Sequence, residues 1–180
     1  METSQTPAAE LTTIRATGVR YGLINAFVSI AYFLILNVSG IDMTQGPWQW
    51  LGYLLTAALI FLAHKYYKEN TDGFMSYGQG IQIALWLGLV SGAISSVFTY
   101  IYVKFIDPSF MEMIQEKQVQ AMEERGMSEE QIDQAMKIAS MFMSPEAMLA
   151  MGFIGAVIGA VIIGLIVTIF TQNKAPETTF

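Results

Sequence analysis

The chain has 180 residues, of which 53% are hydrophobic and only 13% are charged, and its formal net charge is −6. This composition is typical of a membrane protein rather than of a soluble globule. The acidic balance argues against nucleic acid as a partner, because phosphate binding needs a basic surface. Since the chain has no cysteine and one histidine, His64, it has no disulfide, no zinc–cysteine site and no histidine cluster.

The chain begins with a polar segment that leads into a first apolar run. Residues 1–14 lack the basic region that opens a cleavable signal peptide, and we expect them to form a cytoplasmic tail. The run itself, residues 19–38, is long enough to cross a hydrocarbon core about 30 Å thick, and Arg15 and Arg20 lie at its start. It is therefore predicted to be the first membrane-spanning helix.

The second apolar run covers residues 48–66. Gly46 and Pro47 close a short link before it, so this run must return antiparallel to the first. Trp48 opens the run and Tyr66 closes it, which places amphipathic rings at both water interfaces. The sequence therefore predicts a second membrane span.

Two further spans are predicted at residues 81–103 and 148–170, and both carry small residues at helical spacing. Small side chains four residues apart let a second helix approach closely, which is how helices associate in lipid. We expect leucine at Gly92 or Gly159 to destabilise the bundle, because a large side chain prevents this close approach. The residues predicted to pack helices are Gly80, Ala84, Gly88, Gly92 and Ser96, with Gly152, Gly155, Ala156, Gly159, Ala160 and Gly164.

Residues 104–144 are polar and acidic, and their periodicity predicts an insertion of two short amphipathic helices. Gly126 separates the two pieces, and Ser128 with Gln131 has the spacing of a capping box for the second. Ser144 is the expected N-cap of the last span.

Three groups of side chains have both a functional and a plain interpretation. The acidic face Glu112, Glu116 and Glu123 either binds a divalent cation or is simply solvated, and we favour the solvated face. The methionines of the insertion either hold cuprous copper or pack adaptably on apolar faces, and we favour packing. His64 either handles protons beside Lys65 or lies at the membrane interface, and we favour the interface.

The distribution of basic residues predicts the orientation. Five of them lie close to helix ends on one side of the predicted topology: Arg15, Arg20, Lys65, Lys68 and Lys174. That side should be cytoplasmic, so both termini, including the tail 175–180, are expected inside. The insertion 104–144 is then extracytoplasmic.

Several short stretches resemble a known family. They are Lys65-Tyr66-Tyr67-Lys68, the segment 73–80, Ile106-Asp107-Pro108, the Gly-Met-Ser-Glu-Glu stretch from Gly126 and Met143-Ser144-Pro145. Together the chain from about Arg15 to Lys174 resembles the uncharacterised bacterial membrane family named domain of unknown function 4199. The resemblance implies a four-helix bacterial inner-membrane protein and brings no activity. It also leads us to expect an arginine where this chain has Lys68.

The sequence thus predicts an all-α polytopic membrane protein: a membrane domain over residues 15–174 with four transmembrane helices, and the two-helix insertion between the third and fourth. We expect a non-enzymatic scaffold or accessory subunit without cofactor or metal, whose partners are the bilayer and a second copy or an envelope protein. No acidic residue falls inside the four runs. The alternative is a small transporter or channel with a polar path between the first and third helices. Its candidate residues are Asn25, Ser29, Gln82, Ser91, Ser95 and Thr99.

Overall fold

A computed structural model describes residues 12–41, 46–142 and 144–174. These residues form six α-helices and one π-helical turn: α1 (Ile14–Val38), α2 (Trp48–Glu69), α3 (Tyr77–Ile101), the π-helix (Tyr102–Ile106), α4 (Ser109–Glu124), α5 (Glu129–Ser140) and α6 (Pro145–Thr171). Within the described ranges, extended backbone pairs only at an isolated antiparallel bridge between Met75 and Asn173. The predicted all-helical fold is confirmed.

Three of the described helices are long and apolar enough to cross a membrane. They are α1, α3 continued through the π-helix, and α6. The second predicted span, α2, is not among them. Polar residues near its end, among them His64, Lys65 and Lys68, lower its mean hydropathy. Of the predicted tails, residues 1–11 and 175–180 lie outside the described part of the chain, as does Met143.

Side-chain caps fix where the helices begin. Thr13 accepts a hydrogen bond from the Ala16 amide at 3.0 Å and so starts α1. The capping box predicted at Ser128 is present, and Ser144 caps α6. A capping box that sequence analysis missed, Ser76 with Gln79, starts α3 earlier than the predicted run.

The C-terminal end of α3 continues as the π-helix before the chain turns. Asp107 donates its amide to the Tyr102 carbonyl at 2.8 Å. Asp107 itself leaves the helical region, with φ −139° and ψ 80°, as expected for a residue that precedes proline. Buried Tyr102 contacts the rings of Phe33 and Phe110, which ties the insertion to the bundle.

The helices are arranged around α3. Both α1 and α6 pack along it, and α2 packs against α1 and α6. The insertion continues outward from this bundle, since α4 contacts the π-helix and α5 packs on α4. The four long helices therefore pack against one another, with α3 in contact with the other three.

Candidate functional site

Small residues bring α3 and α6 into close contact along what we call the α3–α6 seam. A Cβ built on Gly88 would lie 2.7 Å from the Ala160 Cβ, and one built on Gly92 would lie 3.1 Å from the Ala156 Cβ. The seam contains most of the predicted packing residues: Gly80, Ala84, Gly88, Gly92 and Ser96 of α3, and Gly152, Ala156, Ala160 and Gly164 of α6. In lipid, such backbone proximity is a main source of helix–helix stability.

The remaining two predicted packing residues, Gly155 and Gly159, lie on the side of α6 that turns away from α3. A Cβ built on either would meet no atom within 4 Å in the part of the chain that the structure describes. Around them Ile154 and Ile158 are 50% and 54% exposed. We call this surface the open α6 face: Met151, Ile154, Gly155, Ile158, Gly159 and Ile162. The packing role of the two glycines stays a prediction, and any contact must come from outside the described chain.

A second close approach joins α1 to α3. A Cβ built on Gly22 would lie 2.9 Å from the Leu87 carbonyl oxygen, and one built on Gly18 would lie 2.9 Å from the Ile83 carbonyl oxygen. Ala26, one turn further on, is completely buried. These three residues have the four-residue spacing that marks such contacts in the sequence.

His64 is buried among the helices, and the position at the membrane interface that sequence analysis expects for it stays a prediction. It is 0% exposed. Its Nε2 is 3.0 Å from the Gly80 carbonyl oxygen, so Nε2 carries a proton and donates, because a carbonyl oxygen can only accept. Its Nδ1 is 2.8 Å from Thr171 Oγ1. The imidazole thus joins α2 to both α3 and α6.

Thr171 completes this cluster at the end of α6. Its hydroxyl is also 3.0 Å from the Val167 carbonyl oxygen. A hydroxyl has one proton, so Thr171 donates either to that carbonyl or to a neutral His64. Lys68 donates to the Thr171 carbonyl at 2.9 Å, where a cation is favoured at a helix C-terminus. We call these residues the His64 cluster: His64, Lys68, Gly80 and Thr171.

The chain after α6 folds back beside this cluster. Met75 and Asn173 exchange two backbone hydrogen bonds of 2.7 and 2.9 Å. The Asn173 amide side chain also donates to the Gly73 carbonyl at 3.3 Å. These bonds fasten the end of α6 to the turn that precedes α3. No local sequence signal marks the contact, because its partners are about a hundred residues apart.

In the described part of the chain, two of the six candidate path residues form side-chain hydrogen bonds: Asn25 contacts α2, and Thr99 donates to the Ser95 carbonyl of its own helix at 2.9 Å. Asn25 Oδ1 is 3.3 Å from the Thr56 hydroxyl, which is also 3.1 Å from the Gly52 carbonyl oxygen. Ser96 donates to the Gly92 carbonyl at 2.6 Å. Ser29 lines a cavity of about 240 Å³ between α1 and α2. Within the described residues, the buried hydroxyls of Thr17 and Ser95 have no hydrogen-bond partner.

The insertion presents charge to solvent. The carboxylates of Glu112, Glu116 and Glu123 are exposed. Lys104, which follows the third predicted span, pairs with Glu146 at the start of α6 at 2.8 Å, and both side chains are largely exposed. Nowhere in the described ranges do three metal-ligating side chains of the His, Asp or Glu type come together.

Comparison with known proteins identifies one relationship. A family model described as "Protein of unknown function (DUF4199)" matches residues 20–173, from the first turns of α1 to the bridge at Asn173. The resemblance noted in the sequence is therefore confirmed. No curated protein and no solved structure matches the chain.

Proposed function

The chain belongs to the family described as protein of unknown function (DUF4199), and we propose that it is a non-enzymatic scaffold or accessory subunit of the bacterial inner membrane. In this proposal α1, α2, α3 and α6 all span the bilayer, both termini are cytoplasmic, and α4 and α5 form an extracytoplasmic insertion. The family description supplies no activity, so the support comes from the geometry of the bundle.

The packing of α2 supports a fourth span. Its 22 residues rise about 33 Å, enough to cross a hydrocarbon core of about 30 Å. Consecutive long helices meet at a common end: Arg20 near the start of α1 lies over the Tyr66 ring near the end of α2. Lys68, at that same end of α2, reaches Thr171 at the end of α6. Helix α2 thus runs antiparallel to α1 and parallel to α6, and this position beside two apolar helices supports a fourth span.

The basic residues that predict the membrane orientation lie at this same end, where α1 begins and where α2 and α6 end. Arg20 and Lys68 reach neighbouring helices there, and Lys174 follows the last residue of α6. Cytoplasmic segments of membrane proteins are enriched in lysine and arginine. The proposal therefore places this end inside and the Lys104–Glu146 end outside.

The observation that carries the scaffold role is the open α6 face. Helix α6 has small residues on two sides: one side forms the α3–α6 seam, and the other presents Gly155 and Gly159 with no neighbour in the described chain. Two glycines four residues apart, flanked by isoleucines, are the pattern that lets a second helix dock in lipid. The open α6 face is the surface that would receive a partner helix or a second copy.

The transporter or channel alternative gains no such support. Its path would run between α1 and α3, where Gly18 and Gly22 bring α1 onto the backbone of α3. A path also needs polar side chains that line a common water-filled lumen. Of its candidate residues, Asn25 is instead paired with Thr56, and Thr99 with its own helix.

The test is co-purification of the tagged chain from its native membranes in mild detergent, with the native mass of the complex. We expect a stoichiometric partner or a homo-oligomer with the wild-type chain. The double variant Gly155→Leu/Gly159→Leu should lose this partner or oligomer, because the leucine side chains would prevent a second helix from approaching the α6 backbone. A matched variant, Leu54→Ile on the lipid-facing side of α2, should retain it. Recovery of the wild-type chain alone as a monomer would contradict the proposal.

A further inference from the structure

The outer side of α1 carries an open groove with basic and apolar parts. It is a shallow surface of about 770 Å³ whose lining residues all belong to α1 or its N-cap, among them Arg15, Arg20, Leu23, Ile24 and Phe27. The two arginines lie toward the start of the helix, and the side chains beyond them are apolar. Phe27 is 71% exposed. We call this surface the α1 groove.

The two guanidinium groups are held in position by aromatic rings of other helices. Arg15 Cζ lies 5.0 Å from the centroid of Trp86 in α3. Arg20 Cζ lies 4.5 Å from the centroid of Tyr66 in α2. Cation–π contacts fix the position of a guanidinium while leaving its N–H groups free to donate. Among the described residues no carboxylate forms an ion pair with either arginine. Two fixed positive charges therefore stand at one end of the groove without a described counter-charge.

We propose that the α1 groove binds an anionic phospholipid, with its phosphate between Arg15 and Arg20 and an acyl chain along Leu23, Ile24 and Phe27. Guanidinium groups donate paired hydrogen bonds to phosphate oxygens. From Arg15 to Phe27 the helix rises about 18 Å, which is comparable with one leaflet of a hydrocarbon core about 30 Å thick. The charge and the length of the groove thus match a single lipid.

This site is independent of the scaffold role, because the α1 groove and the open α6 face lie on different helices. A free phosphate ion would share the chemistry of the headgroup, but it would leave the apolar part of the groove unused. The groove therefore favours a lipid, and competition with inorganic phosphate distinguishes the two ligands.

The experiment is native mass spectrometry of the full chain released from micelles that contain equal amounts of dioleoyl phosphatidylglycerol and dioleoyl phosphatidylcholine. We expect one phosphatidylglycerol to be retained preferentially, and excess inorganic phosphate not to displace it. Each substitution, Arg15→Gln or Arg20→Gln, should reduce the preference about fivefold, and the two together about 25-fold. Arg15→Lys/Arg20→Lys keeps the charges and should retain part of the preference, which separates lipid binding from a general loss of folding.

The matched control is Lys65→Gln, which removes an exposed cation at the same end and should change the preference less than twofold. Equal retention of both lipids by the wild-type chain would overturn the proposal. So would displacement by inorganic phosphate, or a loss in Lys65→Gln as large as that in the arginine variants. A dimer whose mass disappears with the same arginine substitutions would assign the groove to a second copy and would equally overturn it.

Discussion

Gly88 of α3 lies against Ala160 of α6 so closely that a Cβ built on Gly88 would stand 2.7 Å from the Ala160 Cβ. The seam at this point has no room for a larger side chain. We expect Gly88→Leu to lower the free energy of unfolding by about 1–3 kcal/mol, because overpacking forces the two helices apart. Thermal unfolding of the purified protein in mild detergent measures this effect.

The open α6 face supplies the matched control for that substitution. Gly155→Ala and Gly159→Ala place a methyl group where no described atom lies within 4 Å. They should leave the stability of the monomer unchanged or raise it by up to about 1 kcal/mol, because alanine favours a helix over glycine. Destabilisation equal to that of Gly88→Leu would show that these two glycines pack inside the bundle after all.

The sequence identifies the small residues of α6 but not which of them face α3. Ala156 and Ala160 are four residues apart, and so are Gly155 and Gly159, so spacing alone makes both sides equivalent. For this reason the sequence predicts that leucine at Gly92 and leucine at Gly159 are equally destabilising. In the described chain, only Gly92 has a close neighbour. The difference depends on how α6 is rotated about its axis, which is set by all of its contacts together.

His64 illustrates a second limit of sequence analysis. Beside Lys65 and Tyr66, near the end of an apolar run, it has the surroundings of an interfacial residue. It is buried because α3 begins earlier than the apolar pattern indicates, at the capping box of Ser76, and because α6 extends to Thr171. By contrast, the capping box at Ser128 depends only on local residues, and it was predicted correctly.

We expect His64→Phe to destabilise the protein by about 1–3 kcal/mol. Phenylalanine fills a similar volume but cannot donate to the Gly80 carbonyl or bond to Thr171, and the lost hydrogen bonds are buried. Unfolding of the variant in detergent is compared with that of Lys65→Gln. Lys65 pairs with Glu69 at the surface, where an ion pair contributes less than about 1 kcal/mol. Equal stabilities of the two variants would count against the His64 cluster.

Lys68 should control how firmly the end of α6 is held. We expect Lys68→Met to speed amide hydrogen exchange at Gln172 and Asn173, because the ammonium no longer binds the Thr171 carbonyl. Lys68→Arg keeps a donor at that position and should exchange like the wild-type chain. Unchanged exchange in Lys68→Met would mean that the bridge between Met75 and Asn173 holds this end alone.

Protease accessibility tests the proposed membrane topology. Arg125 is exposed between α4 and α5, so trypsin added outside spheroplasts should cut the insertion there. Lys65 at the opposite end of the bundle should be cut only when the cytoplasmic face is opened, as in inverted vesicles. The reverse pattern would place the insertion inside and overturn the assigned orientation.

The open α6 face is proposed to contact another membrane helix, and site-specific photo-crosslinking in native membranes tests for this contact. Benzoylphenylalanine at Ile158 reports on that face, and the same group at Phe61 of α2 is the control, since the two side chains are 54% and 51% exposed. We predict one reproducible protein adduct from position 158, lost when Gly155 and Gly159 are leucine, and none from position 61. The absence of a protein adduct at position 158, or equal adducts at both positions, would mean that the open α6 face has no specific partner helix.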